Sequence, residues 1–318
     1  MSVSSSPLPL GRSPILARPS SRLFGGIVAV ALLAVAPFWC GDYALGFGLS
    51  IFMAIALSES WLLLSGLTGY ISLGHAVFFG VGSYVMALSF DNMSYWLALP
   101  LCGLTSGLLA LLFGYPALRV RGPYFVILTF GLSELVKFVV VTIESDLGNF
   151  GRMLLGAPDT PELYEMMLGL AVVAFLLVVL VQRSRFGVAL RAIKEDETAA
   201  ETIGIGVKTA KVAAFALSAV IPGMVGGVMA MRSAYFEPMV AFSPMVSFTI
   251  VTTAMIGGSD TPMGPVLGAI LLGGASELLW AHAPEVYNIL LGVLLVVFVL
   301  YIPEGIHGRV ARWLGRRA

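Results

Sequence analysis

Charge is the first thing this chain lacks. Only 11% of its residues are Asp, Glu, Lys or Arg, against 58% hydrophobic. A soluble domain carries about 25% charged residues, so the composition excludes a water-soluble fold of this length and points to a polytopic membrane protein. Cysteine is nearly absent. Cys40 and Cys102 both fall in apolar runs, which excludes a disulfide framework and reads them as small buried hydrophobes. Of the three histidines, neither His282 nor His307 has a partner at metal-ligand spacing, and no metal is expected. None of the lysines, Lys137, Lys194, Lys208 and Lys211, follows a glycine, so there is no Walker A loop. GxSxG, HExxH and CxxC are missing as well. The chain holds no catalytic constellation, and no cofactor is expected in it.

Long apolar runs are what it has instead. Runs of about 17–25 residues match the thickness of a bilayer. They fall at Leu23–Cys40, Ala44–Ser65, Ala76–Phe90, Tyr95–Tyr115, Tyr124–Thr142, Leu163–Val181, Ala210–Met231, Met245–Ile256, Met263–Trp280 and Val286–Tyr301. The third and eighth are short. The expected fold is all-α, with about ten transmembrane helices in one transmembrane domain over residues 23–303. A Ser- and Pro-rich tail, 1–22, precedes it and a basic tail, 304–318, follows. No small-residue cleavage site ends the first run, so it is expected to be a retained span.

Basic residues collect on the cytoplasmic side of membrane proteins. With the N-terminus inside, 15 of the 18 Lys and Arg fall in cytoplasmic segments. Lys137 lies within a span, and only Arg152 and Arg232 fall outside. One miscounted span would destroy this partition, so both termini are expected in the cytoplasm.

Residues 183–206 form a polar island between spans six and seven. Arg183, Arg185, Arg191, Lys194, Glu195, Asp196, Glu197 and Glu201 crowd into it. Each ionised side chain at a bilayer's centre costs about 2.5–3.5 kcal/mol on insertion scales, so the island lies in water. A solvated loop is the commonest fate of such a run. Here apolar side chains are interleaved, and Ala199, Ala200 and Ile203 share one helical face. Gly204 and Gly206 stand where helix C-caps favour glycine. A short docking helix, Gly187–Gly204, is the expectation.

Two glycine-rich interruptions stand out. Gly66–Tyr84 places Gly66, Gly69, Gly74, Gly80 and Gly82 among Thr68, Ser72 and His75. Gly257–Pro265 is a second, shorter break containing Ser259. Non-helical backbone at membrane depth survives only when buried in protein or lining a wet cavity, and broken helices commonly mark a translocation path. The alternative is a plain glycine-rich loop. His75 is more often a packing residue than a ligand. Ionisable residues inside spans are Glu59, Glu134, Lys137 and Glu277. Glu134 and Lys137 are spaced to pair on one helix. Glu59 and Glu277 serve either as helix–helix contacts or as functional acids.

Tyr70–Leu88, Arg121–Leu135 and Ser184–Ile205 together resemble, in that order, the LivM-type permeases of branched-chain amino-acid ABC importers. The resemblance covers about residues 45–310. It implies a non-catalytic subunit of a bacterial inner-membrane importer, carrying branched-chain or other apolar amino acids. Its implied partners are a homologous LivH-type permease, two cytoplasmic ATPases that bind ATP and Mg, and a periplasmic substrate-binding protein. The polar island matches the segment such permeases dock on the ATPase, which implies roles there for Arg191, Lys194, Glu195, Asp196, Glu197, Ala199, Ala200, Ile203 and Gly204. Thr198 departs from the family's usual glutamate, though Glu197 and Glu201 flank it. Residues placed on the pathway are Glu59, Thr68, Ser72, His75, Glu134, Ser259 and Glu277. Two other readings stay open: a related permease for urea or short amides, and an ion-coupled secondary transporter using Glu59 and Glu277.

Overall fold

The structure is a computed structural model and describes residues 19–148 and 151–282. The chain divides into residues 1–41 and 42–318. In the first unit, α1 spans Pro19–Val35 and runs into a single 3-10 turn, Ala36–Phe38, with proline in its first positions.

The second unit is a helical bundle. α2 (Asp42–Trp61) ends in a π-helical turn, Leu62–Gly66, and α3 (His75–Ser89) follows after a non-helical stretch. α4 (Tyr95–Ala117) and α5 (Pro123–Asp146) are joined by a tight turn. A two-residue strand, β1 (Arg152–Met153), precedes α6 (Thr160–Arg183). Two short helices come next, α7 (Arg185–Glu195) and α8 (Glu197–Thr202). The longest described helix, α9 (Val207–Ser233), leads to β2 (Tyr235–Phe236), which pairs antiparallel with β1. α10 (Pro238–Ala241), α11 (Pro244–Gly257) and α12 (Met263–His282) complete the described chain.

Among the described residues, six helical segments are long and apolar enough to cross a membrane, and Gly25–Phe38, His75–Ser89 and Met263–Glu277 are shorter apolar helices. These correspond to the first nine expected runs. The tenth, Val286–Tyr301, and the tails 1–18 and 304–318 lie outside the described residues.

α9 is the centre of the packing, against α2, α3, α4 and α6. Glycine permits this closeness. A Cβ on Gly82 would stand 1.9 Å from the Gly223 carbonyl oxygen, and one on Gly226 equally close to that of Phe79. In a bilayer, where apolar surface alone does not drive helices together, such backbone contact supplies the attraction. Ser83 donates across the same crossing to the Gly226 carbonyl at 2.8 Å.

The two arginines that broke the charge partition have local partners. Arg152 bonds the carboxylate of Glu144 at 2.9 and 3.2 Å, and Tyr84 donates to the same group at 2.8 Å. Arg232 donates to Ser50 Oγ at 3.1 Å and to the Gly46 carbonyl at 3.3 Å.

Candidate functional site

The site is built where the polar island meets the two breaks. The expected single docking helix is two helices. Ser184 caps α7 by accepting from the Gly187 amide at 3.2 Å. Asp196 breaks the helix and restarts it, its carboxylate accepting from the amides of Thr198 and Ala199 at 2.7 and 3.0 Å. This satisfies donors that a helix start leaves open. Gly204, at φ +86°, closes α8 in a conformation glycine adopts readily. The Ile205 amide then reaches back to Ala200 O, and the Gly204 amide to Glu201 O, the paired bonds of a Schellman motif. Gly206 starts α9 rather than ending α8.

The island is amphipathic, and its faces can be assigned. Leu190, Ile193 and Ala200 are buried within the chain itself. Arg191, Lys194, Glu195, Asp196, Ala199, Gly204 and Ile203 are exposed. Ile203 is the extreme case among the large apolar side chains here, at 72%. The shared face expected for Ala199, Ala200 and Ile203 is therefore divided. Of these three, only Ala200 turns into the bundle.

Glu197 is the acid that turns inward. Its carboxylate accepts from Tyr70 Oη at 2.5 Å and Lys211 Nζ at 3.0 Å, and pairs with Arg121 at 2.6 Å. Lys211 is almost fully buried. It also donates to Tyr70 Oη at 2.9 Å and to Leu118 O at 3.3 Å, and lies 4.5 Å from the centre of the Tyr70 ring. Burial alone would raise the Glu197 pKa. The hydrogen bonds from Tyr70 and Lys211, with the charges of Lys211 and Arg121, outweigh it and hold the carboxyl below its ordinary value. Burial, then the bond to Glu197 and its charge, raise the Tyr70 hydroxyl well above its usual range.

Tyr70 belongs to the first break. There Thr68 donates to Leu64 O at 2.7 Å, the Trp61 indole to Ser72 O at 2.9 Å, and the Leu73 amide to Thr129 Oγ1 at 3.2 Å. Irregular backbone survives here because side chains and neighbouring backbone accept its bonds. Gly66 lies against the second break, where a Cβ would come within 2.6 Å of Ser259 O. The island grips that break too, since Lys194 pairs with Asp260 at 3.1 Å. Both interruptions thus meet one another, and each is bonded to α7–α8.

The remaining pathway candidates are scattered. Glu59 and His75 are fully buried, and neither has a hydrogen-bond partner among the described residues. Glu134 is paired with Lys137 on α5, a helix with most of its surface open. Glu277 on α12 accepts a hydrogen bond from the Tyr43 hydroxyl. Sequence reasoning missed Tyr70, Arg121 and Lys211 as members of one cluster.

Away from the island is a cavity of about 450 Å³. Met53, Phe79, Met229 and Met245 supply its apolar lining, and Ser83, Thr249, Thr253 and Glu237 its polar groups.

The family described as "Branched-chain amino acid transport system / permease component" matches residues 44–299. The high-affinity branched-chain amino acid permease protein LivM of Escherichia coli K12 is 28% identical, over 88% of this chain and 74% of its own length. LivH of Salmonella typhimurium, from the same kind of system, is 24% identical over 81% of this chain and 94% of its own. No solved structure matches significantly.

Proposed function

We propose that this chain, which belongs to the family of permease components of branched-chain amino acid transport systems, is one of two homologous permeases in an ATP-driven importer of branched-chain and other apolar amino acids. Likeness to both LivM and LivH supports a pair of related permeases. In this reading the chain lies in a bacterial inner membrane with ten spans and both termini in the cytoplasm. Two cytoplasmic ATPases bind ATP and Mg and dock on α7–α8, and a periplasmic binding protein delivers the substrate.

The observation that carries the reading is the attachment of α7–α8 to both breaks, through Glu197 to Tyr70 and through Lys194 to Asp260. A movement imposed on this helix pair from the water side is delivered to the irregular backbone, where a membrane protein opens a path. The cavity lies toward the other end of α9, beside Ser233. It is large enough for one small apolar side chain, and Glu237 at its wall suits an ammonium group.

The complete importer in proteoliposomes tests this. Uptake should require ATP and survive a proton ionophore. Loss of uptake while ATP remains plentiful would favour the ion-coupled reading, for which the relevant observation is the buried Glu59, without a hydrogen-bond partner among the described residues. Glu59→Gln should leave ATP-driven uptake standing.

A further inference from the structure

We infer that Glu197 is the positioning residue through which movement of α7–α8 reaches the break between α2 and α3, and that it does so inside the permease rather than by touching the ATPase. This rests on the reading of the chain as an ATP-driven permease.

Orientation is the first argument. Glu195, Asp196 and Glu201 are exposed, while the Glu197 side chain is only 10% exposed. One oxygen of its carboxylate accepts from Tyr70 of the break and from Lys211 in the second turn of α9, and the other, itself buried, is ion-paired with Arg121 from the turn after α4. Little of it remains for a docked protein. Charge-assisted bonds of this kind are shorter and stronger than neutral ones, so α8 and Tyr70 move as one body.

What Tyr70 is joined to is the second argument. It lies between the π turn at Leu62–Gly66 and Ser72, whose carbonyl holds the Trp61 indole. π turns inside helices are rare and frequently stand at functional sites. Gly69, at φ +77°, gives the backbone just before Tyr70 a left-handed turn. A shift of Tyr70 therefore bears on the π-helical end of α2 and, through Gly66 against Ser259, on the second break. Coupling requires an element whose two arrangements are biased from both sites, and in this proposal the break between α2 and α3 is that element. The Glu197–Tyr70 bond is the shortest such connection from α8.

Tyr70→Phe isolates the effect, since it removes one hydroxyl and keeps the ring beside Lys211. Glu197→Gln removes the charge and keeps the shape. Each variant is reconstituted with its partner permease, ATPases and binding protein, and three quantities are read: ATPase co-purification, ATP hydrolysis, and substrate moved per ATP hydrolysed. The last does not depend on how much complex folds. Both variants should retain the ATPases while substrate per ATP falls by about fivefold or more, the usual lower range for coupling between sites. Unchanged substrate per ATP in both variants would reduce Glu197 to a structural tie. Loss of ATPases from Glu197→Gln, with full coupling in Tyr70→Phe, would make it a docking contact. A wild-type complex showing no ATP-dependent uptake would instead overturn the underlying function.

Discussion

Tyr70 donates a hydrogen bond to Glu197 at 2.5 Å although 127 positions separate them. Lys211 binds both partners from α9 and is itself buried. The first break, α8 and α9 thus meet over one carboxylate, which ties a helix pair to a break between two other helices.

The Lys211 ammonium should matter more to stability than the exposed Lys194. Lys211→Met takes a donor from Tyr70 Oη, Leu118 O and Glu197 Oε1, while Tyr70 still donates to that oxygen and Arg121 still compensates the charge. Losing a bond to a charged group that is buried costs about 2 kcal/mol. Lys194→Met breaks a bridge whose side chains are 35% and 69% exposed, and such pairs contribute about 0–1 kcal/mol. Thermal unfolding in detergent should show a clear drop for the first and little change for the second. Equal shifts would refute the cluster's structural weight.

Acid should erase the Glu197 contribution. Its pKa in the folded chain is held below the ordinary 4.5. A depressed carboxyl gives stability that is fully present above the unfolded value and is lost as pH falls through the folded one. The stability difference between wild type and Glu197→Gln should therefore be flat from neutral pH down to about 4.5 and shrink below it. A difference that instead shrinks between pH 8 and 6 would assign the titration to another group.

Features set by local order were legible in the sequence. The nine described apolar runs became helices near their expected bounds, because length and hydropathy decide them. Glu134 and Lys137 pair as their spacing allows, and Gly204 closes α8 as a glycine after a short helix does. The restart at Asp196 carried a signal that went unread: an acid before Thr198 and Ala199 is a helix N-cap in its own right. Tyr70, Arg121 and Lys211 had no such signal. Each looks like an ordinary interfacial or loop residue, and only the return of α9 beside the first break brings them to Glu197. The π turn at Leu62–Gly66 was hidden for the same reason, since its sequence is that of any apolar helix end.

Helix packing on α9 should be intolerant of a single methyl group. In Gly82→Ala the new Cβ meets the Gly223 backbone at 1.9 Å, and backbone cannot rotate away. The α3–α9 crossing must open, with loss of folded protein measured by size-exclusion recovery. Gly131→Ala on α5 meets nothing within 4 Å and should be neutral or stabilise by about 0.5–1 kcal/mol. Wild-type recovery of Gly82→Ala would contradict the close crossing.

Sidedness can be read with single cysteines. In a background lacking Cys40 and Cys102, Asp159→Cys and Glu195→Cys place thiols at exposed positions, one at the start of α6 and one at the end of α7 beyond it. An impermeant maleimide added to spheroplasts should label residue 159 directly and residue 195 only after permeabilisation. The reverse pattern would invert the proposed orientation.

Docking on α7–α8 makes a prediction about three neighbouring residues. Ile203 is 72% exposed, and Ala199 is exposed beside it, whereas Ala200 is 1% exposed inside the chain. An exposed isoleucine next to solvent-facing charges suits the centre of an interface, where apolar anchors dominate binding. Ile203→Asp touches no packed part of the permease, so it should fold and insert like wild type while losing ATPase co-purification. Truncations at such centres cost about 2 kcal/mol or more, and a charge buried there without a partner adds to that loss. Ala200→Asp forces a carboxylate into the permease's own interior, and should lower permease recovery before any partner is added. If Ile203→Asp keeps its ATPases at wild-type level, this face of α8 does not dock them, and the interface must be sought elsewhere on the island.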